Sequence, residues 1–120
     1  MKITAPVAAL FLLLVPALAS AFSARDYRTT FDTHRSEVLA CANGTTGSFV
    51  LRMHVMPDGS TEAAQVESAD SDAIRAAGAC VVTRLANWRF ARSSSGAFPR
   101  YRLDFTSDAF TIRRLPYRAP

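Results

Sequence analysis

Two histidines and two cysteines are the residues of this 120-residue chain with the most pointed chemistry. Hydrolysis by a side chain needs a nucleophile, a base within hydrogen-bonding reach of it, and a group that orients the base. His34 stands among charged neighbours in "DTHRSE", and His54 opens the stretch "HVMPDGST" between two apolar-alternating runs. Neither position carries a local nucleophile pattern, and a lone surface histidine is more often solvated or paired than catalytic. No catalytic residue is therefore assigned; a His-dependent hydrolase is the competing class. Metal binding has no support either, because the histidines are not four apart on a helix and "PDGS" lacks the acidic spacing of a calcium loop. Glu62, Glu67, Asp70 and Asp72 read as solvated strand ends and helix caps rather than paired catalytic acids. No cofactor and no metal are expected. "NGT" at 43–45 is formally a glycosylation acceptor and equally a helix stop, the reading preferred here.

The cysteines point to a compartment. The chain opens with "MKITAPVAALFLLLVPALASA", one lysine ahead of an apolar run that ends in a small-x-small cleavage pattern. Residues 1–21 read as a cleavable signal peptide, interrupted by Pro16 and too short in apolar length for a spanning helix. Export is thus expected, to the periplasm or outside a Gram-negative cell, with no stable membrane anchor after cleavage. An even number of cysteines in an oxidising compartment implies a disulfide, Cys41–Cys80. What remains after residue 21 carries 13 arginines against 10 acids and no lysine. That weak, scattered surplus lacks the dense basic stripe of a nucleic-acid binder, so none is expected as partner.

These residues need elements to hold them. Residues 22–29, "FSARDYRT", show no clear period and read as an N-terminal arm. From Thr30, Phe31, Val38 and Ala42 share a helical face until "ANGTTG" stops it. "SFVLRMHVM" alternates, with Phe49, Leu51, Met53 and Val55 inward, as a half-buried strand does. "PDG" then supplies the residues a tight reversal requires, so "HVMPDGST" reads as a hairpin corner. "STEAAQVES" returns as a weaker strand. Ser71 or Asp72 caps a second helix, whose stripe runs through Ile74, Ala77, Gly78, Val81, Leu85 and Trp88. Gly78 on that stripe suggests that another backbone passes close by. After the loop "ARSSSG", Tyr101, Leu103 and Phe105 alternate against Arg100, Arg102 and Asp104 in a third strand. "AFTIRR" suggests a short further strand inside a basic tail, residues 109–120. Trp88, Phe90, Phe98, Tyr101 and Phe105 read mainly as core, with part of the set available to line a peptide groove.

The expected fold is α+β: a small antiparallel sheet of about three strands in α-β-β-α-β order, with two helices on one face, over residues 30–108. The disulfide would staple those helices side by side. The exposed edge near the third strand and the tail, with Arg100, Arg102, Arg113 and Arg114, is the expected partner-binding edge.

The order and spacing of Cys41, Gly47, Asp58-Gly59, Ser68, Cys80 and Trp88-Arg89-Phe90 resemble the C-terminal domain of AgmX/PglI-type gliding-motility proteins, a relative of the TonB C-terminal domain. Ala91 stands where that family usually has proline. The resemblance implies a TonB-like α+β fold, a helix–helix disulfide, and binding of a cell-envelope protein or peptide by strand addition. Such transducers also carry an anchor and a Pro-rich linker, which this chain does not show, so fold and binding mode are carried over and force transmission is not. The expected function is a non-catalytic periplasmic binding or adaptor module; a small secreted inhibitor or effector is a further alternative.

Overall fold

Alternating and helical stretches of the sequence organise into three helices and four strands in the computed structural model, which describes residues 24–118. The segment expected to be a signal peptide, residues 1–21, lies outside the described residues. In chain order the elements are α1 (Ala24–Thr33), α2 (Arg35–Ala42), β1 (Gly47–Val55), β2 (Thr61–Ala69), α3 (Asp72–Leu85), β3 (Arg100–Phe105) and β4 (Phe110–Leu115). The strands form one antiparallel sheet in the order β2-β1-β3-β4.

The inward residues of the sheet are those that alternation selects. Phe49, Leu51, Met53 and Val55 of β1 and Tyr101, Leu103 and Phe105 of β3 are buried, and they form one core with Val38, Ile74, Ala77, Val81 and Leu85 of the helices. All three helices thus cover the same side. Ser71 caps α3 by accepting a hydrogen bond from the Ile74 amide at 3.2 Å. At the other end α3 stops at Leu85, three residues short of the end of its apolar stripe. A final turn, in which the Trp88 amide donates to Leu85 O at 3.1 Å, keeps the indole in the core. The left-handed Asn43 (φ 48°) ends α2, as the "NG" pair foretells.

Four features depart from the sequence reading. Residues 24–29, expected as an arm, are the first turns of α1. Tyr27 and Phe31, one helical turn apart, are both buried, and Tyr27 packs on Tyr101 with ring centroids 4.4 Å apart. Second, the first helix is broken at His34 (φ −104°, ψ 23°) into two. Third, the sheet has four strands rather than three. The start of the 109–120 tail is β4, paired one-to-one with β3 from Phe105↔Phe110 to Arg100↔Leu115. Phe110, whose ring centroid lies 5.6 Å from that of Phe105, supplies the apolar anchor that brings this Arg-rich segment onto the sheet. Fourth, Gly78 faces side chains and not a backbone: a Cβ there would lie 2.7 Å from Val66 Cγ2 and 3.2 Å from the Phe49 ring.

Cys41 on α2 and Cys80 on α3 are disulfide-bonded, with Cα atoms 5.5 Å apart. The bond joins neighbouring helices on one side of the sheet, the arrangement expected from the sequence. Among the described residues no helix is long and apolar enough to cross a membrane.

Candidate functional site

The corner "HVMPDGST" makes the turn between β1 and β2, and it is docked rather than free. Asp58 Oδ1 accepts from the Ser60 amide at 2.9 Å and from its hydroxyl at 2.7 Å, and these bonds hold the Asp58 carboxyl below the usual range. Gly59 is buried with φ +92°, and a Cβ there would meet Phe90 O at 2.1 Å. The Phe90 amide donates to Gly59 O at 2.8 Å and the Ser93 amide to Pro57 O at 3.1 Å. The turn is therefore a seat for the segment that follows Trp88, and its role is architectural.

The two histidines lie on opposite sides of the sheet. His34, at the break between α1 and α2, stacks flat on Trp88 (4.3 Å between centroids, 7° between planes), and its Nδ1 lies 2.6 Å from Glu37 Oε2. Trp88 Nε1 donates to Glu37 Oε1 at 3.4 Å. The hydrogen bond with His34, chiefly, holds the Glu37 carboxyl below the usual range. This cluster closes the helix side of the core. His54 instead lies on the helix-free side, stacked on Phe98 at 4.1 Å and 14°. No pair of histidines can share a substrate here.

On that helix-free side the strands present polar residues, and most of them bond to one another. Glu67 is the extra residue of a bulge in β2, between the pairs Val50↔Ser68 and Leu51↔Val66. Its carboxylate accepts two hydrogen bonds from Arg100, Nε to Oε1 at 2.8 Å and NH2 to Oε2 at 2.7 Å. These bonds hold the Glu67 carboxyl below its ordinary value and raise Arg100. Arg52 and Arg118 approach the same carboxylate at 3.6 and 3.8 Å. Beside them Asp104 accepts from the Ser48 hydroxyl and from Arg102 Nε. Burial pushes the Asp104 carboxyl up, and those two bonds, together with the charges of Arg102 and Arg113, more than reverse the effect.

The expected partner-binding arginines divide. Arg100 and Arg102 are on β3, an interior strand covered by β1 and β4, so they do not line an edge. Arg100 is also nearly buried by its bidentate pairing with Glu67. Arg113 and Arg114 are on β4, which is an edge strand. The opposite edge strand, β2, has two register shifts and a left-handed Ala63 (φ 52°).

A groove of about 280 Å³ crosses the helix-free side. It runs from Gln65 of β2, over Arg52 and His54 of β1, to Phe98 before β3 and to Tyr117 and Arg118 after β4. Phe98 and Tyr117 are the two exposed large apolar side chains among the described residues, 57% and 66% accessible, and their rings meet at 6.5 Å. Of the aromatic set read as core, Trp88, Phe90, Tyr101 and Phe105 are core; Phe98 is not. The signal that separates it was in the alternation, because Phe98 shares its parity with Arg100 and Arg102 and not with Tyr101.

Comparison of the chain with known protein families, with curated proteins and with solved structures found no match in any of the three.

Proposed function

We propose that this domain is a non-catalytic binding or adaptor module of the TonB C-terminal-like kind, acting in the periplasm of a Gram-negative bacterium and holding an extended segment of a cell-envelope protein by strand addition to β4. The observation that carries the reading is the regularity of that edge. Six consecutive one-to-one pairs join β4 to β3, so β4 is flat enough to template another strand. The bulged β2 edge is not. The hairpin closes with the Thr106 amide donating to Ala109 O. The alternation of an antiparallel ladder then turns the backbone groups of Phe110 and Ile112 outward. Arg35 NH2 occupies the Phe110 carbonyl at 3.1 Å, and the outward groups of Ile112 are the ones offered to a partner. The basic pair Arg113-Arg114 favours an acidic segment.

Ile112→Pro removes the outward N–H without breaking a bond to β3, as an edge strand tolerates. Wild-type protein immobilised on beads and exposed to envelope extract is expected to retain a defined protein that Ile112→Pro beads lose. His34→Ala and His54→Ala beads are expected to keep it. Retention by Ile112→Pro, with its near-ultraviolet circular dichroism unchanged, would refute the strand-addition mode. Hydrolytic turnover lost on changing either histidine would favour the competing enzyme class.

A further inference from the structure

We propose that the groove on the helix-free side of the sheet is a second binding site, taking a peptide in which a carboxylate stands next to an aromatic or large aliphatic side chain. It goes beyond the β4 edge, because the groove crosses β2, β1 and β3 rather than running along a strand. A ligand in it lies over the sheet and needs no ladder hydrogen bonds.

Charge identifies half of the ligand. Three guanidinium groups, those of Arg52, Arg100 and Arg118, surround the single carboxylate of Glu67. Arg100 takes both oxygens at hydrogen-bond distance, whereas Arg52 and Arg118 approach only to 3.6 and 3.8 Å. One carboxylate cannot saturate three planar forks, each with five donors. The cluster keeps a surplus of two positive charges, and Arg52 sits only 22% exposed at the groove wall, where screening by water is reduced. A second carboxylate between Arg52 and Arg118 completes the set.

Shape identifies the other half. The ring pair His54–Phe98 is held rigid by its stacking at 14°, and Tyr117 meets Phe98 at 67°. Two rings so inclined make a wedge, which receives a side chain end-on. A sugar ring prefers a flat, unobstructed aromatic face, so an acidic peptide fits better than an acidic glycan. A volume of about 280 Å³ suits one large side chain with its neighbouring carboxylate. The two exposed large apolar residues of the described surface thus face the ligand, beside cations that recognise its charge.

The test is a titration of the full exported protein, labelled with nitrogen-15, using acetyl-Gly-Phe-Asp-Asp-Gly-amide. The controls are the same peptide with both Asp replaced by Asn, and trigalacturonate. The acidic peptide is expected to move the Phe98 and His54 amides and the Arg52 Nε–H signal saturably, and the Asn peptide to bind about tenfold more weakly. Phe98→Ala and Arg118→Gln each change an exposed side chain, leave the fold intact, and are expected to weaken the acidic peptide about tenfold. Ile112→Pro is expected to leave it unchanged, which separates this site from the β4 edge. Equal binding of the two peptides, tighter binding of trigalacturonate, or no shift in the groove signals at about 5 mM acidic peptide each overturns the proposal.

Discussion

A methyl group placed on Gly78 would lie 2.7 Å from Val66 Cγ2 and 3.2 Å from the Phe49 ring, both in the packed layer between α3 and the sheet. Alanine is the better helix former by about 1 kcal/mol. Forcing a methyl into a filled interface costs about 1–3 kcal/mol, so packing outweighs propensity. Val66 is β-branched and cannot swing its methyl aside cheaply. Gly78→Ala is therefore expected to lower the urea midpoint in the wild-type background. In Val66→Ala protein, where that methyl is gone, the same change is expected to be neutral or stabilising. A double-mutant cycle reads the difference directly; an equal loss in both backgrounds would place the limit at Phe49 instead. The glycine was legible in the sequence as a point of close approach, but its neighbour was not. Which side chain of β2 reaches α3 depends on a bulged register that periodicity does not record.

At the scale of elements, the disulfide binds α2 to α3 across a separation of 39 residues. In the chain-entropy account a loop of that length contributes about 4 kcal/mol by restricting the unfolded chain, a large share of the net stability of a domain this size. The doubly substituted Cys41→Ala/Cys80→Ala protein is expected to lose about that amount, measured as the difference in urea unfolding free energy. A loss under about 1 kcal/mol would mean that the helices are positioned by their shared core alone. Elements with strong periodicity, β1, α3 and β3, were readable from the sequence because each buries one uninterrupted face. One segment was not, and another was readable only as a short strand outside the sheet. The start of α1 carries a single large apolar residue, Tyr27, among charged ones, and its burial depends on Tyr101, over seventy positions away. β4 has only Phe110 and Ile112 directed at the core, so its arginines make it look like a tail until β3 supplies a neighbour. With "AFTIRR" read as a short strand but left out of the three-stranded sheet, β3 was taken for the edge, and Arg100 and Arg102 were placed there with it. The groove was half legible: His54 and Arg52 fall on the polar face by alternation, but Glu67 reaches Arg100 across an intervening strand.

For the whole molecule, pH tests how much the carboxylates contribute together. Glu37, Asp58, Glu67 and Asp104 are all held below their ordinary values in the folded protein. They lie in four separate places: the Trp88 cluster, the hairpin corner, the arginine cluster, and the contacts of Asp104 with Ser48 and Arg102. A group whose folded value is depressed binds its proton more readily when the chain is unfolded. Its contribution is thus complete above the ordinary carboxylate value and is lost as pH falls through the lowered folded one. The urea midpoint is expected to stay level from about pH 7 to about pH 5 and to decline below about pH 4. Glu67→Gln keeps the side chain's shape but cannot titrate, so it is expected to lower the midpoint at neutral pH and to flatten the acid decline. Added salt screens the exposed contacts more than the half-buried Glu67–Arg100 pair, so in concentrated salt the remaining slope should depend mostly on Glu67. An acid decline of the same steepness in wild type and Glu67→Gln would show that this pair orders the open face without stabilising the fold. In that case the surplus guanidinium groups over the groove are held in place by the packing of β3 and the chain after β4, and the groove keeps its shape through the acid range.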